Sequence, residues 1–176
     1  MRTFCQGVLR TYFLRYVPNS RGVVLSCLIA WLFHGLYKIK KDTSGGNSTP
    51  KLYTNKNGLP SILNNHVYTI KDELVVATEK GVYGYNEQMD QFEPHVSYQK
   101  LLGNQSLRYL KEDKEGHIWF VHEKQLGVVD MSDKTPKIIY IPELNNRLLS
   151  GFEMVYPVNE NNIFIAAENG LININY

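Results

Sequence analysis

The chain has 176 residues, 43% of them hydrophobic and 12% aromatic, with a formal net charge of +2; that length suits one domain of ordinary size. The charge is uneven: residues 1–41 hold seven Lys or Arg and no acid, which leaves twelve bases against seventeen acids in the remainder. An acidic remainder offers no basic face for nucleic acid and excludes that class of partner through this segment.

A basic end on an acidic chain points to a membrane or targeting role for that end. Residues 1–21 are rich in Arg, Tyr and Phe and match no part of the repeat that follows. They read as non-native or out-of-frame sequence ahead of it. Both cysteines, Cys5 and Cys27, lie in the first 41 residues, so disulfides do not hold the rest of the chain.

Residues 22–37 form an uncharged apolar run between Arg21 and Lys38. As a membrane helix the run is short of the ~20 residues a span needs. As a cleaved secretory signal it starts late and lacks a small-x-small site. As a degenerate repeat unit it fits differently. Gly35-Leu36-Tyr37 lies one repeat length before Gly81-Val82-Tyr83, Ile29-Ala30 falls where Val75-Val76 would be, and Val24-Leu25-Ser26 supplies the strand before it. The membrane helix and the repeat strands both stay open, so the N-terminal segment is expected to be irregular or helical where it is not strand. Residues 42–50, Asp-Thr-Ser-Gly-Gly-Asn-Ser-Thr-Pro, read as a flexible loop.

From residue 51 to 176 a unit of about 45 residues recurs, with copies near 63–100, 105–145 and 150–176. Each copy has an apolar core strand: Val75-Val76-Ala77-Thr78, Trp119-Phe120-Val121-His122 and Phe164-Ile165-Ala166-Ala167. Upstream strands are expected at Val67–Ile70, Leu107–Leu110 and Phe152–Val155, each followed by a polar turn. Gly81 and Gly170 sit where a hairpin turn needs positive φ. Gln125 replaces glycine in the middle copy, so that turn must take another geometry or carry strain. Fourth, outer strands are expected at Gln91–Val96, where Pro94 suits an edge, and at Lys137–Ile141.

A period of this length built from short strands predicts an all-β fold, a partial β-propeller of about three to four four-stranded blades. Each small sheet has apolar faces that it cannot bury alone, and stacking neighbours buries them. An arc of three units exposes two such faces. The expected partners are therefore the remaining blades, or another chain that completes the ring. The structural anchors are Trp119, Phe164, Val75, Gly81, Gly170, Asp113 and Gly116. Trp119 reads as a core residue, and Asp113 and Gly116 as turn residues. A sialidase-type Asp box does not fit, because the Asp-to-Gly spacing is one residue too long and its serine is missing.

The copy Leu110-Lys111-Glu112-Asp113-Lys114-Glu115-Gly116-His117-Ile118-Trp119-Phe120 resembles the two-component regulator propeller repeat. Asn57-Gly58-Leu59-Pro60-Ser61, followed by Asn64-Asn65-His66-Val67, is similar to that family's blade opening. Gly81-Val82-Tyr83-Gly84-Tyr85-Asn86 is similar to its blade exit, and Trp31-Leu32-Phe33-His34-Gly35-Leu36-Tyr37 looks like a damaged copy of the stretch leading to that exit. The resemblance spans roughly residues 50–176. Gln125, His122 and Ala167 depart from the family pattern. What the resemblance implies is a sensor or scaffolding module in the extracytoplasmic part of a bacterial signal-transduction regulator, in the periplasm or envelope of a Gram-negative bacterium. An oligosaccharide ligand is part of that implication.

Chemistry is not indicated. His34, His66, His95, His117 and His122 fall at scattered positions without metal-ligand spacing. There is no G-x-S-x-G, phosphate loop or C-x-x-C. The expectation is a non-enzyme without cofactor or metal. The alternatives are a membrane-tethered adaptor anchored by residues 22–37, and a fragment of a propeller polysaccharide lyase or glycosidase, which would need paired carboxylates.

Overall fold

A computed structural model describes residues 23–27, 35–40, 50–159 and 162–175 of the chain. They form four antiparallel sheets that follow one another along the sequence. The first contains β1 (Val23–Cys27), β2 (Leu36–Lys40) and β3 (Lys51–Tyr53). The second contains β4 (His66–Ile70), β5 (Glu73–Thr78), β6 (Gly81–Asn86) and β7 (Gln91–Pro94). The third contains β8 (Leu107–Glu112), β9 (Ile118–His122), β10 (Gln125–Asp130) and β11 (Lys137–Tyr140). The fourth contains β12 (Val155–Asn159), β13 (Asn162–Ala167) and β14 (Gly170–Ile174). In every sheet, strands adjacent in sequence are adjacent in space.

Turn chemistry sets the registers. Lys71 and Asp72, at φ 50° and 59°, close a two-residue hairpin that pairs Ile70 with Glu73. Gly81 and Gly170 have φ of 92° and 117°, pairing with Thr78 and Ala167. In the middle copy Gln125 pairs with His122, and the left-handed residue is Glu123, at φ 54°. That turn thus meets the missing glycine by moving the unusual φ two residues upstream.

Three sequence expectations need correction. The first strand of the last copy is Val155–Asn159, not Phe152–Val155. The hairpin pairs Asn159 with Asn162, and a register shift between Pro157 and Asn159 then places Tyr156 opposite Phe164. Phe152 and Met154 stay outside as exposed loop residues. The outer strand of the second sheet stops at Pro94, and a helix, α1 (Val96–Leu102), follows in an otherwise β structure. His95 caps α1 by accepting from the Tyr98 amide, and Tyr98 and Leu102, one turn apart, bury on one side. The third correction concerns β1. It pairs directly with β2, Val24 opposite Ile39 and Ser26 opposite Tyr37, so it takes the place given to Ile29-Ala30. The described ends of the apolar run 22–37 are therefore strands, as β-branched residues favour. Ile29, Ala30 and residues 1–22 and 42–49 lie outside the described residues. Among the described residues no helix is long and apolar enough to cross a membrane.

The core forms in the spaces between sheets. Leu36, Tyr53, Leu59, Val67, Val76, Tyr83 and Phe92 fill the space between the first and second sheets. A larger cluster runs through the second, third and fourth. Strand β5 shows why its residues are apolar without alternation: Val76 faces the first cluster, while Val75 and Ala77 face the second. A strand covered on both sides needs apolar residues on both sides.

Tyrosines tie successive sheets together. Tyr68 of β4 donates its hydroxyl to the Arg108 carbonyl on β8 at 2.7 Å. Tyr109 of β8 donates to the Val155 carbonyl at the start of β12 and accepts the Val155 N–H, both at 3.1 Å. Each hydroxyl thus satisfies a partly or fully buried polar group on the next sheet.

Two expected outcomes follow from this packing. Trp119 is fully buried, and Trp119→Ala should cost about 3–5 kcal/mol in a denaturant melt. Gly81→Ala should cost more than Gly170→Ala. A Cβ on Gly81 would meet the Gly103 carbonyl oxygen at 2.6 Å, whereas one on Gly170 meets nothing within 4 Å. Equal losses of stability would show that φ strain alone governs both positions.

Candidate functional site

In the second and third sheets, both four-stranded antiparallel meanders, the turns joining first to second and third to fourth strands lie at the same end. Two polar assemblies form along that rim. One lies where the first and second sheets meet, and the other between the third and fourth.

The first centres on Asp90, in the turn between β6 and β7, at φ 49°. Asn86 shapes that turn by accepting the amides of Gln88 and Met89 through its side-chain oxygen. Asp90 accepts from Lys38 at 2.9 Å and from the Tyr53 hydroxyl at 2.6 Å, and also from Lys51 and the Tyr85 hydroxyl. Lys38, Lys51 and Tyr53 belong to the first sheet, so one carboxylate on the second sheet gathers three donors across the boundary. Partial burial pushes the Asp90 carboxyl up. The bonds from Lys51, Tyr53, Tyr85 and Lys38 outweigh it and hold the group well below the ordinary carboxylate range. Burial, then the bond to Asp90, pushes the Tyr53 phenol far above its usual range. Burial works to lower the Lys38 ammonium, but Tyr85 and Asp90 overcome it and raise the group.

The second assembly is a cleft of about 350 Å³ between the third and fourth sheets. Asp113, Glu115, His117, Asp130, Ser132 and Asn159 supply its polar wall, and Ile139, Pro157 and Ile163 its apolar one. Asp113 is committed to its own turn. One oxygen accepts the Glu115 and His117 amides at 3.1 and 2.8 Å, and the other accepts the Trp119 indole N–H at 2.9 Å. Gly116 completes the turn at φ 86°, donating its N–H to the Asp113 carbonyl. His117 is 9% exposed. Its Nδ1 accepts the Met131 amide at 3.0 Å and lies 3.4 Å from an Asp130 oxygen. The amide bond is the shorter and fixes Nδ1 as an acceptor, so the ring proton sits on Nε2. Among the described residues no cluster of three or more His, Cys, Asp or Glu is placed to hold a metal ion.

The structure brings Asp113, Gly116 and Trp119 into a single unit, with the turn carboxylate bonded to the buried indole. Val75 is fully buried in β5, and Phe164 occupies the corresponding place in β13, where it is half-buried. Gly81 and Gly170 occupy corresponding hairpins. The Asp90 assembly is absent from the sequence reading. Its members are up to 52 residues apart, and only the tyrosine of the Tyr85-Asn86 exit hinted at it.

No family model matches the chain, and no curated protein matches it. Among solved structures it is similar to the extracellular domain assigned to a hybrid two-component system of B. thetaiotaomicron. The TM-score is 0.54 and the identity 17%, over 88% of this chain and 19% of the other. The likeness is one of fold. This chain spans about a fifth of the length of the protein it matches.

Asp90 gives this rim a pH dependence with a definite sign. A carboxyl held below its unfolded value of about 3.9 stabilises the fold fully above that value, and the stabilisation fades as pH falls below it. At pH 7, Asp90→Asn should melt below the parent chain, and the gap should narrow between about pH 4 and pH 2. A gap independent of pH would show that the carboxylate's charge contributes nothing across the sheet boundary.

Proposed function

We propose that the chain is a run of β-propeller blades. It acts as a ligand-sensing or scaffolding module on the extracytoplasmic side of a bacterial signal-transduction regulator, and it performs no catalysis itself. The observation that carries this reading is the fold likeness to an extracellular domain of a two-component system over 88% of the chain. The repeated sheets support it: each has the same strand order, and their faces pack serially. The resemblance of residues 110–120 and 57–67 to the two-component regulator propeller repeat points the same way.

Asp113, one of the carboxylates lining the cleft, spends both oxygens on its own turn and on Trp119. A glycosidase needs two carboxyl groups free to act on substrate. A mixed wall of carboxylate, amide and hydroxyl groups facing an apolar one instead suits a polyhydroxylated ligand such as an oligosaccharide.

The test is a thermal melt against a panel of oligosaccharides, run beside an assay for new reducing ends. A ligand at a hundred times its Kd adds about 2.7 kcal/mol, roughly 5–10 °C for a chain of this size. The expected result is such a shift for at least one glycan, with no new reducing ends. Reducing ends that disappear on Asp130→Asn would establish the glycosidase alternative instead.

A further inference from the structure

The cleft between the third and fourth sheets has a charge as well as a shape. Asp113, Glu115 and Asp130 line it, and none of the described residues lining it is a lysine or arginine. Lys137 stands opposite Asp130 in the β10–β11 ladder, but its ammonium pairs with Asp133, outside the cleft. His117, with Nδ1 accepting the Met131 amide, adds no positive charge. The groups bonded to Asp113 are two backbone amides and an indole, and Asp130 accepts the Ser132 amide at 2.8 Å. Those donors are neutral, so they satisfy oxygens without cancelling charge.

A cleft walled on one side by apolar groups focuses the field of the charges on the other. Asp113 therefore acts on a ligand's charge even though its oxygens are committed. The carboxylates are spread along the wall rather than gathered. Asp113 and Glu115 stand on the turn between β8 and β9, and Asp130 ends β10. Among the described residues no three His, Cys, Asp or Glu are placed to hold a metal ion. A hard metal cation needs oxygens converging at about 2.3–2.6 Å. An organic cation needs only the field and a surface to lie on.

We infer that this cleft takes an amino sugar with a free ammonium group, and that it excludes uronate and sulfated glycans by repulsion. The inference rests on the oligosaccharide reading and adds the charge class of the ligand. Such a sugar matches both walls. Its C–H face suits Ile139, Pro157 and Ile163, and its hydroxyls suit Ser132 and Asn159. Its ammonium belongs on the side of Glu115 and Asp130. N-acetylation removes that charge and a ring carboxylate reverses it, so discrimination is electrostatic and partly repulsive.

The test is isothermal titration of the full chain at low salt with four probes: a glucosamine disaccharide, the same disaccharide N-acetylated, a galacturonate disaccharide, and spermidine. The glucosamine disaccharide should bind at least about tenfold more tightly than its N-acetylated form, and the galacturonate should give no measurable heat. The preference should shrink in 1 M salt, where the Debye length is about 3 Å. Glu115 is exposed on its turn, so Glu115→Gln leaves the fold in place. It should weaken the ammonium sugar about two- to fivefold more than the N-acetylated one. Glu79→Gln makes the same charge change in the β5–β6 hairpin, away from the cleft, and should alter neither affinity.

Equal affinity for the free and N-acetylated sugars overturns the inference and leaves the oligosaccharide reading standing. Tighter binding of the galacturonate does the same. Spermidine bound as tightly as the amino sugar shows that charge alone is read, and overturns the assignment to a sugar. An equal loss in Glu79→Gln and Glu115→Gln traces the preference to net charge and overturns the cleft as its source. No binding by any glycan, charged or neutral, overturns the inference and the oligosaccharide reading together.

Discussion

A small twisted sheet with apolar residues on both faces cannot exist alone in water. Every other feature of this structure depends on that constraint. At about 25 cal/mol per Å² of apolar surface, one uncovered face of aliphatic and aromatic side chains costs several kcal/mol, a large part of the stability of a domain. Serial packing meets the constraint. Val76 is covered from the first sheet and Val75 and Ala77 from the third, so a single strand of six residues contributes to two cores.

Apolar packing alone would let such sheets slide or rotate over one another. The polar contacts between them are directional and restrict that freedom. Tyr68 and Tyr109 each carry a ring into the core and a hydroxyl to the next sheet's backbone. Their rings also meet edge to face, with centroids 5.6 Å apart. The Asp90 assembly does comparable work at the outer end of the first boundary, where a carboxylate gathers two lysines and two tyrosines. Inside the third sheet, Asp113 serves a local purpose, linking the five-residue turn between β8 and β9 to the indole of Trp119. Each of these contacts pairs a polar atom that packing takes out of water.

Much of this was legible from residue order. The apolar runs, the glycines at φ 92° and 117°, and the Asp113–Trp119 spacing identify hairpins whose register depends on turn length and period-two alternation. Local signals failed where two were in competition. Pro94-His95-Val96 continues a β-branched outer strand by composition, but the His95 cap and the Tyr98–Leu102 spacing favour a helix. Phe152-Glu153-Met154-Val155 is as apolar as the true strand beside it, and only the hairpin at Asn159–Asn162 chooses between the two registers. Val23–Cys27 reads equally well as part of an apolar span or as a strand until its pairing with Leu36–Lys40 is known.

The sequence by itself determined the recurring unit, most of the strands within it, the all-β class and the buried place of Trp119, because hairpin turns and alternation act over a few residues. Tertiary structure alone decided which faces meet and where the Asp90 donors converge. Those depend on residues 37 to 52 positions apart. No local rule links them, since their proximity arises only when whole sheets have packed.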